Sequence, residues 1–206
     1  MVFSYQNCTT AAVNLQVSGG HRLKNPSAHV RIRASCEAGG RPALLERAEQ
    51  QMKFKNPLLA VRDMERSKAF YRTVLGLRVI MDFGANVTLT GGVCLQTADS
   101  WADLLRVGAE DIRFGGKDGE LYFEEDDFDG FLSRLEGLPD IRYVHPALEH
   151  PWGQRAVRFY DPDGHIIEVG ENMKNVCRRF LDSGMTPEET AKRMDVPLKF
   201  VSSCMR

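Results

Sequence analysis

The chain has 206 residues, 43% of them hydrophobic, with no run of about 18 apolar residues, which excludes a helical membrane span. Its five cysteines (Cys8, Cys36, Cys94, Cys177, Cys204) are scattered and form no CxxC pair, so they read as reduced thiols of a cytoplasmic protein. The formal net charge of −1 conceals a split: residues 52–172 hold 14 Lys and Arg against 21 Asp and Glu, a balance of −7 that argues against nucleic-acid binding there.

Residues 1–51 differ from the rest. Ser, Asn, Ala, Gly and Arg dominate, no period of 2 or 3.6 is sustained, and the first acid is Glu37. Only Ala43–Gln51 has the pattern of a short helix. The segment reads as a disordered or spurious leader ahead of Met52. An organellar transit peptide is the alternative, since Arg and Ser are present and acids are scarce early. No apolar core follows a basic start, so a secretory signal is not supported.

From Met52 one plan appears twice, over residues 52–97 and 118–170. In the first copy, Lys53–Val61 reads as a strand, Asp63 as a helix N-cap, and Met64, Phe70, Tyr71, Val74 and Leu75 fall at helical spacing before Gly76. Strands follow at Leu77–Phe83, Asn86–Leu89 and Val93–Thr97, with Gly91-Gly92 as the hairpin signal. Residues 98–117 form a connector with a helical stretch at Trp101–Leu105. In the second copy, Glu120–Phe123 is a strand, Asp127 a cap, and Phe128–Glu136 a helix stopping at Gly137. Strands follow at Ile141–Val144, Arg155–Tyr160 and Ile166–Val169, the last two joined by a tight turn, Asp161-Pro162-Asp163-Gly164. Two copies of a βα unit with β-rich sequence after each predict an α+β fold of two pseudo-equivalent modules with a cleft between them.

Residues 173–206 form a helical appendix. Thr186-Pro187-Glu188-Glu189 is a capping box with Pro at the first helical position, opening a helix over Pro187–Met194. Asn175–Leu181 precedes it, and Leu198–Met205 follows the Val196-Pro197 break. The segment is similar to a shortened helix-turn-helix, but its second helix has only about two turns and offers just Lys199 and Arg206 as bases. Packing on the domain or on a second subunit is the expected role.

The stretches "NPLLAVRDMERSKAFYRTVLGLRVI" and "PWGQRAVRFYDPDGHIIEVGE" resemble the vicinal oxygen chelate superfamily, which includes glyoxalase I, bleomycin-resistance proteins and extradiol dioxygenases. The resemblance covers residues 52–172. It implies paired βαβββ modules, each curling a sheet around a shared cavity, often within a homodimer. In metal-dependent members four strand positions project ligands into that cavity, and here they carry Asn56, Gln96, Glu120 and Glu168. No histidine stands at any of the four. An amide and carboxylate oxygen set suits harder ions such as Mg²⁺, Mn²⁺ or Ca²⁺, whereas softer first-row metals at catalytic sites usually take at least one imidazole. The expectation is therefore a cavity without cofactor or metal, with Gln96, Glu120 and Glu168 around a divalent ion as the alternative.

Glu168 lies between Ile167 and Val169, so its side chain points opposite to theirs; in an apolar cavity such a carboxylate would have a raised pKa and serve as a general base. Its alternative is an ion pair with Arg155 or Arg158. His150-Pro151-Trp152-Gly153-Gln154-Arg155 reads as the pocket rim, Trp152 offering an apolar wall and Arg155 a fork for an anionic group. His165 and His145 read as exposed loop residues, and Cys94 as a small core or cavity residue. The substrate-binding set is thus Asn56, Gln96, Glu120, Trp152 and Arg155, with Glu168 catalytic if there is turnover. Three functions fit: a protein binding a small-molecule ligand, a metal-dependent glyoxalase-like lyase or isomerase using Glu168, or a ligand-sensing regulator with a DNA-contacting tail.

Overall fold

The computed structural model describes residues 12–13, 34–35 and 52–205. Two compact units divide the chain between Phe54 and Lys55. In the first, β1 (Ala12–Val13) pairs antiparallel with β2 (Ala34–Ser35). The expected leader and the helix at Ala43–Gln51 otherwise lie outside the described residues.

The second unit contains both repeats and the C-terminal helices. After β3 (Leu58–Val61), α1 (Met64–Leu75) starts where extended Asp63 accepts the Arg66 N–H at 3.0 Å. It stops at Gly76, whose φ of 68° lets its N–H return to the Arg72 carbonyl. β4 (Val79–Asp82), β5 (Asn86–Leu89) and β6 (Cys94–Thr97) complete a sheet of order β3-β6-β5-β4 with β3 and β6 parallel. α2 (Ala98–Leu105) leads into the connector. The second module repeats the plan with β7 (Glu120–Glu125), α3 (Phe128–Glu136), β8 (Arg142–Glu149), β9 (Arg155–Tyr160) and β10 (Ile166–Glu171). Its order, β7-β10-β9-β8 with β7 and β10 parallel, is the same permutation. The fold is α+β, with two βαβββ modules. Some boundaries differ from expectation. β3 begins only after Pro57, which has no N–H to give a ladder. Gly137 closes α3 at φ −77°, in right-handed backbone, so it is not a left-handed stop like Gly76.

Strand alternation decides what each sheet buries. Val61, Val87, Leu89 and Leu95 of the first sheet join Val157, Phe159, Ile167 and Val169 of the second, with α1 and α3 side chains, in one apolar core. Phe70 on α1 lies 6.4 Å from Phe159 on β9, ring to ring, so the first helix packs on the second module. Beside it, Tyr71 OH donates to Asp161 at 3.0 Å. The other Asp161 oxygen takes the N–H groups of Asp163, Gly164 and His165, closing the predicted turn with Gly164 at φ 95°. Burial works against the Asp161 charge, but His165, the turn amides and Tyr71 together hold its carboxyl below the usual range. His165, expected to be an exposed loop residue, donates through Nδ1 to the ionised Asp161 at 2.8 Å. The turn folds its ring back, which explains the difference.

α4 (Met173–Asp182), α5 (Pro187–Met194) and α6 (Leu198–Cys204) form a small bundle around Val176, Cys177, Met194, Val201 and Cys204. Both halves of the Thr186/Glu189 capping box are present. Burial and the adjacent Cys204 push the Cys177 thiol up to about 12, leaving it an inert packing residue. Among the described residues no helix is long and apolar enough to cross a membrane.

Candidate functional site

In both sheets the face turned away from the shared core carries the polar residues. In the second sheet, Tyr122 lies opposite Glu168 on β10, which in turn lies opposite Arg158 on β9. Glu120, two residues before Tyr122, shares that face. The alternation that sends Ile167 and Val169 into the core therefore sends Glu120, Tyr122, Arg158 and Glu168 to the other side.

These side chains are joined by one guanidinium. Arg158 donates through Nε to Glu120 at 2.8 Å and forms an ion pair with Glu168 through Nη2. Its Nη1 faces His145 Nε2 at 3.3 Å. Glu168 is buried at 5% exposure, so its charge needs a partner, and Arg158 supplies it. The expected lone carboxylate in an apolar setting is thus a paired one. His145, expected in a loop without a partner, sits in β8, where a register shift between Tyr143 and His145 turns its ring to Arg158.

The rim residues close over this face. Trp152 stacks on His150 with centroids 4.3 Å apart and planes 11° from parallel. The Trp152 indole donates to Gln154 at 3.2 Å, and buried Gln154 donates to Tyr122 OH at 2.8 Å and to the Glu171 carbonyl at 2.9 Å. A Cβ at Gly170 would press on the Gln154 amide and the Tyr122 ring, so glycine there makes room for this linkage. His150 Nε2 is buried without a hydrogen-bond partner. Burial, then nearby Arg158 and His145, hold the His150 imidazole below its ordinary value against the opposing pull of Glu120.

Other expected site residues lie elsewhere. Arg155 lies opposite Glu171 across the ladder and faces the α3 side, one residue out of step with the Glu168 face. It spends its fork on Asp129 at 2.7 Å and Glu171 at 3.2 Å, an ion pair between sheet and helix that raises its own pKa. Arg155, expected as a fork for an anionic group, thus has its guanidinium occupied by Asp129 and Glu171. In the first sheet Gln96 shares a face with Ala60 and Asn86, accepting from Asn86 at 2.7 Å and donating to Ser100. Asn56 donates to the Gly92 carbonyl. The structure brings Glu120 and Glu168 together through Arg158, while Asn56 and Gln96 are satisfied separately within the first module. Glu120 also lines a cavity of about 340 Å³ with Pro57, Leu59, Phe114 and His165. Tyr122 and His145 were absent from the expected set. Tyr122 was within reach, because it is two residues from Glu120 and so must share its face; His145 was not, because a bulge sets its orientation.

A family model described as "Glyoxalase-like domain" matches residues 54–174, more than half of the chain. The chain belongs to the glyoxalase-like domain family. A crystal structure of a protein of unknown function from Agrobacterium tumefaciens is 40% identical, with a TM-score of 0.53 over 60% of this chain and 96% of that one. A glyoxalase/bleomycin resistance protein/dioxygenase from Nocardioides is 21% identical, TM-score 0.50, over 62% of this chain and 90% of its own. A glyoxalase-related enzyme from Fulvimarina pelagi is 19% identical, TM-score 0.52, over 60% and 90%. The last two establish the shared fold. No curated protein matches the chain. This glyoxalase-like domain ends within α4, so α5 and α6 lie beyond the family region.

Proposed function

We propose that this glyoxalase-like protein binds a small organic molecule on the Glu168 face of its second sheet, without a metal ion and without turnover. The observation that carries the reading is the guanidinium of Arg158 between Glu120 and Glu168. Those two carboxylates are the ones a divalent ion would need, and both already compensate a cation. Gln96, the third donor of that alternative, is bonded within the other sheet. The donor set does not fit a resident metal, and a Glu168 engaged with Arg158 is poorly placed to take a proton as a general base.

The face has the chemistry of a recognition surface. His150, Trp152 and Tyr122 offer aromatic area, while two carboxylates against one guanidinium leave net negative charge. That balance favours a planar, neutral or cationic molecule over an anionic one. The C-terminal bundle does not favour a DNA-contacting role, because α6 has 7 residues and one base, Lys199. We include self-association in the reading: edge strand β4 exposes Val79, Ile80 and Met81, and Phe83 follows at 71% exposure.

A thermal-shift screen of planar heteroaromatic compounds, followed by Trp152 fluorescence in a Trp101→Phe background, tests the site. Compounds that stabilise the protein should quench Trp152 saturably and lose their effect in Trp152→Ala. Stabilisation that survives Trp152→Ala and leaves Trp152 emission unchanged would put the ligand elsewhere.

A further inference from the structure

We propose that the C-terminal bundle is a clamp that fixes the rim of the site, making residues outside the family domain a working part of it. The rim segment from Glu149 to Gln154 is held by its own module at its two ends, where Glu149 pairs with Arg155 and Gln154 bonds Tyr122 and the Glu171 carbonyl. Its internal bonds are His150 N–H to the Gln154 carbonyl and Gly153 N–H to the His150 carbonyl, each 2.8 Å. The Pro151 and Gly153 carbonyls are taken by the bundle. Arg193 of α5 donates to the Pro151 carbonyl and lies 3.3 Å from Glu149. Arg179 of α4 donates to the Gly153 carbonyl at 2.7 Å and to Glu171 at 3.0 Å.

Between the two arginines stands Phe180, with guanidinium carbons 5.2 and 5.6 Å from its ring centre. Its ring occupies the space where a side chain at position 153 would lie, and Gly153 has φ of 88°. Besides its internal bonds, the middle of the rim is thus held by two carbonyl bonds and one steric wedge from the bundle. The same segment carries the His150–Trp152 stack and passes through Gln154 to Tyr122. Rim and bundle therefore move as one, and the bundle sets how the aromatic wall stands over Arg158 and Glu168. Only this last step rests on the proposed binding face; the clamp itself does not.

Residue-resolved amide hydrogen exchange on the full-length protein tests it without any ligand. In Arg179→Ala/Arg193→Ala the His150 and Gly153 amides should exchange about tenfold faster or more, while Val157 and Val169 keep their protection. Arg193→Lys, which retains one donor for the Pro151 carbonyl, should recover part of the protection at Gly153. Unchanged exchange at His150 and Gly153 overturns the clamp. So does a loss of protection shared equally with β9 and β10, because the arginines would then support the whole sheet and not the rim.

Discussion

Glu168 and Arg158 decide the chemistry at the scale of single residues. Glu168→Gln keeps shape and removes one charge, leaving Arg158 with Glu120. The expected loss is about 1–3 kcal/mol in urea unfolding, below the value for fully breaking a buried pair. Arg158→Leu should cost more, since it strands Glu120 and a buried Glu168 together. The reverse order would mean that Glu168 carries strain that the pairing does not explain. A second residue-scale prediction concerns pH. His150 titrates in the folded protein below its ordinary 6.5. Its contribution to stability is therefore complete above 6.5 and is lost as pH falls through the depressed folded value. Melting temperatures measured from pH 7 to pH 5 should decline, and His150→Asn should flatten that part of the curve. Asp161, also held low, adds its own loss only at more acidic pH, below the ordinary carboxylate value of 3.8.

For the helices and strands, local signals were legible where a single residue fixes a boundary. Asp63 and Gly76 gave α1 both ends, and Thr186 through Glu189 gave the start of α5, because caps act on neighbouring amides. Gly76→Ala tests that logic cleanly: a Cβ there meets nothing within 4 Å, so the cost is purely conformational at φ 68°. We expect about 1 kcal/mol in chemical denaturation. What the sequence could not reveal was pairing across strands. Period-two alternation put Glu168 opposite to Ile167 and Val169, yet it left Arg155 and Arg158 as equal partners. The choice between them depends on the register of β9 against β10, a contact set by the whole sheet. That register puts Arg158, and not Arg155, beside Glu168, and sends Arg155 to Glu171 and Asp129.

For the whole molecule, the duplicated plan was readable because the same caps and glycines recur in the same order, whereas the shared core was not. Phe70 meeting Phe159 and Tyr71 meeting Asp161 join residues about ninety positions apart. Those contacts bind α1 to the second module and leave the polar sheet faces on the other side of the core. The exposed β4 edge belongs to this scale as well. Sedimentation of the full chain should give a dimer mass, and Phe83→Asp with Ile80→Lys should shift it to monomer; a monomer before substitution would remove self-association from the proposal. We propose that the cation on the Glu168 face is Arg158 and not a metal ion. Elemental analysis of protein purified without chelators, backed by a Mn²⁺ titration read by electron paramagnetic resonance, tests it most directly. Less than about a tenth of a divalent ion per chain and no saturable Mn²⁺ site are expected. One tightly held ion per chain, lost in Glu168→Gln or Glu120→Gln, would contradict it.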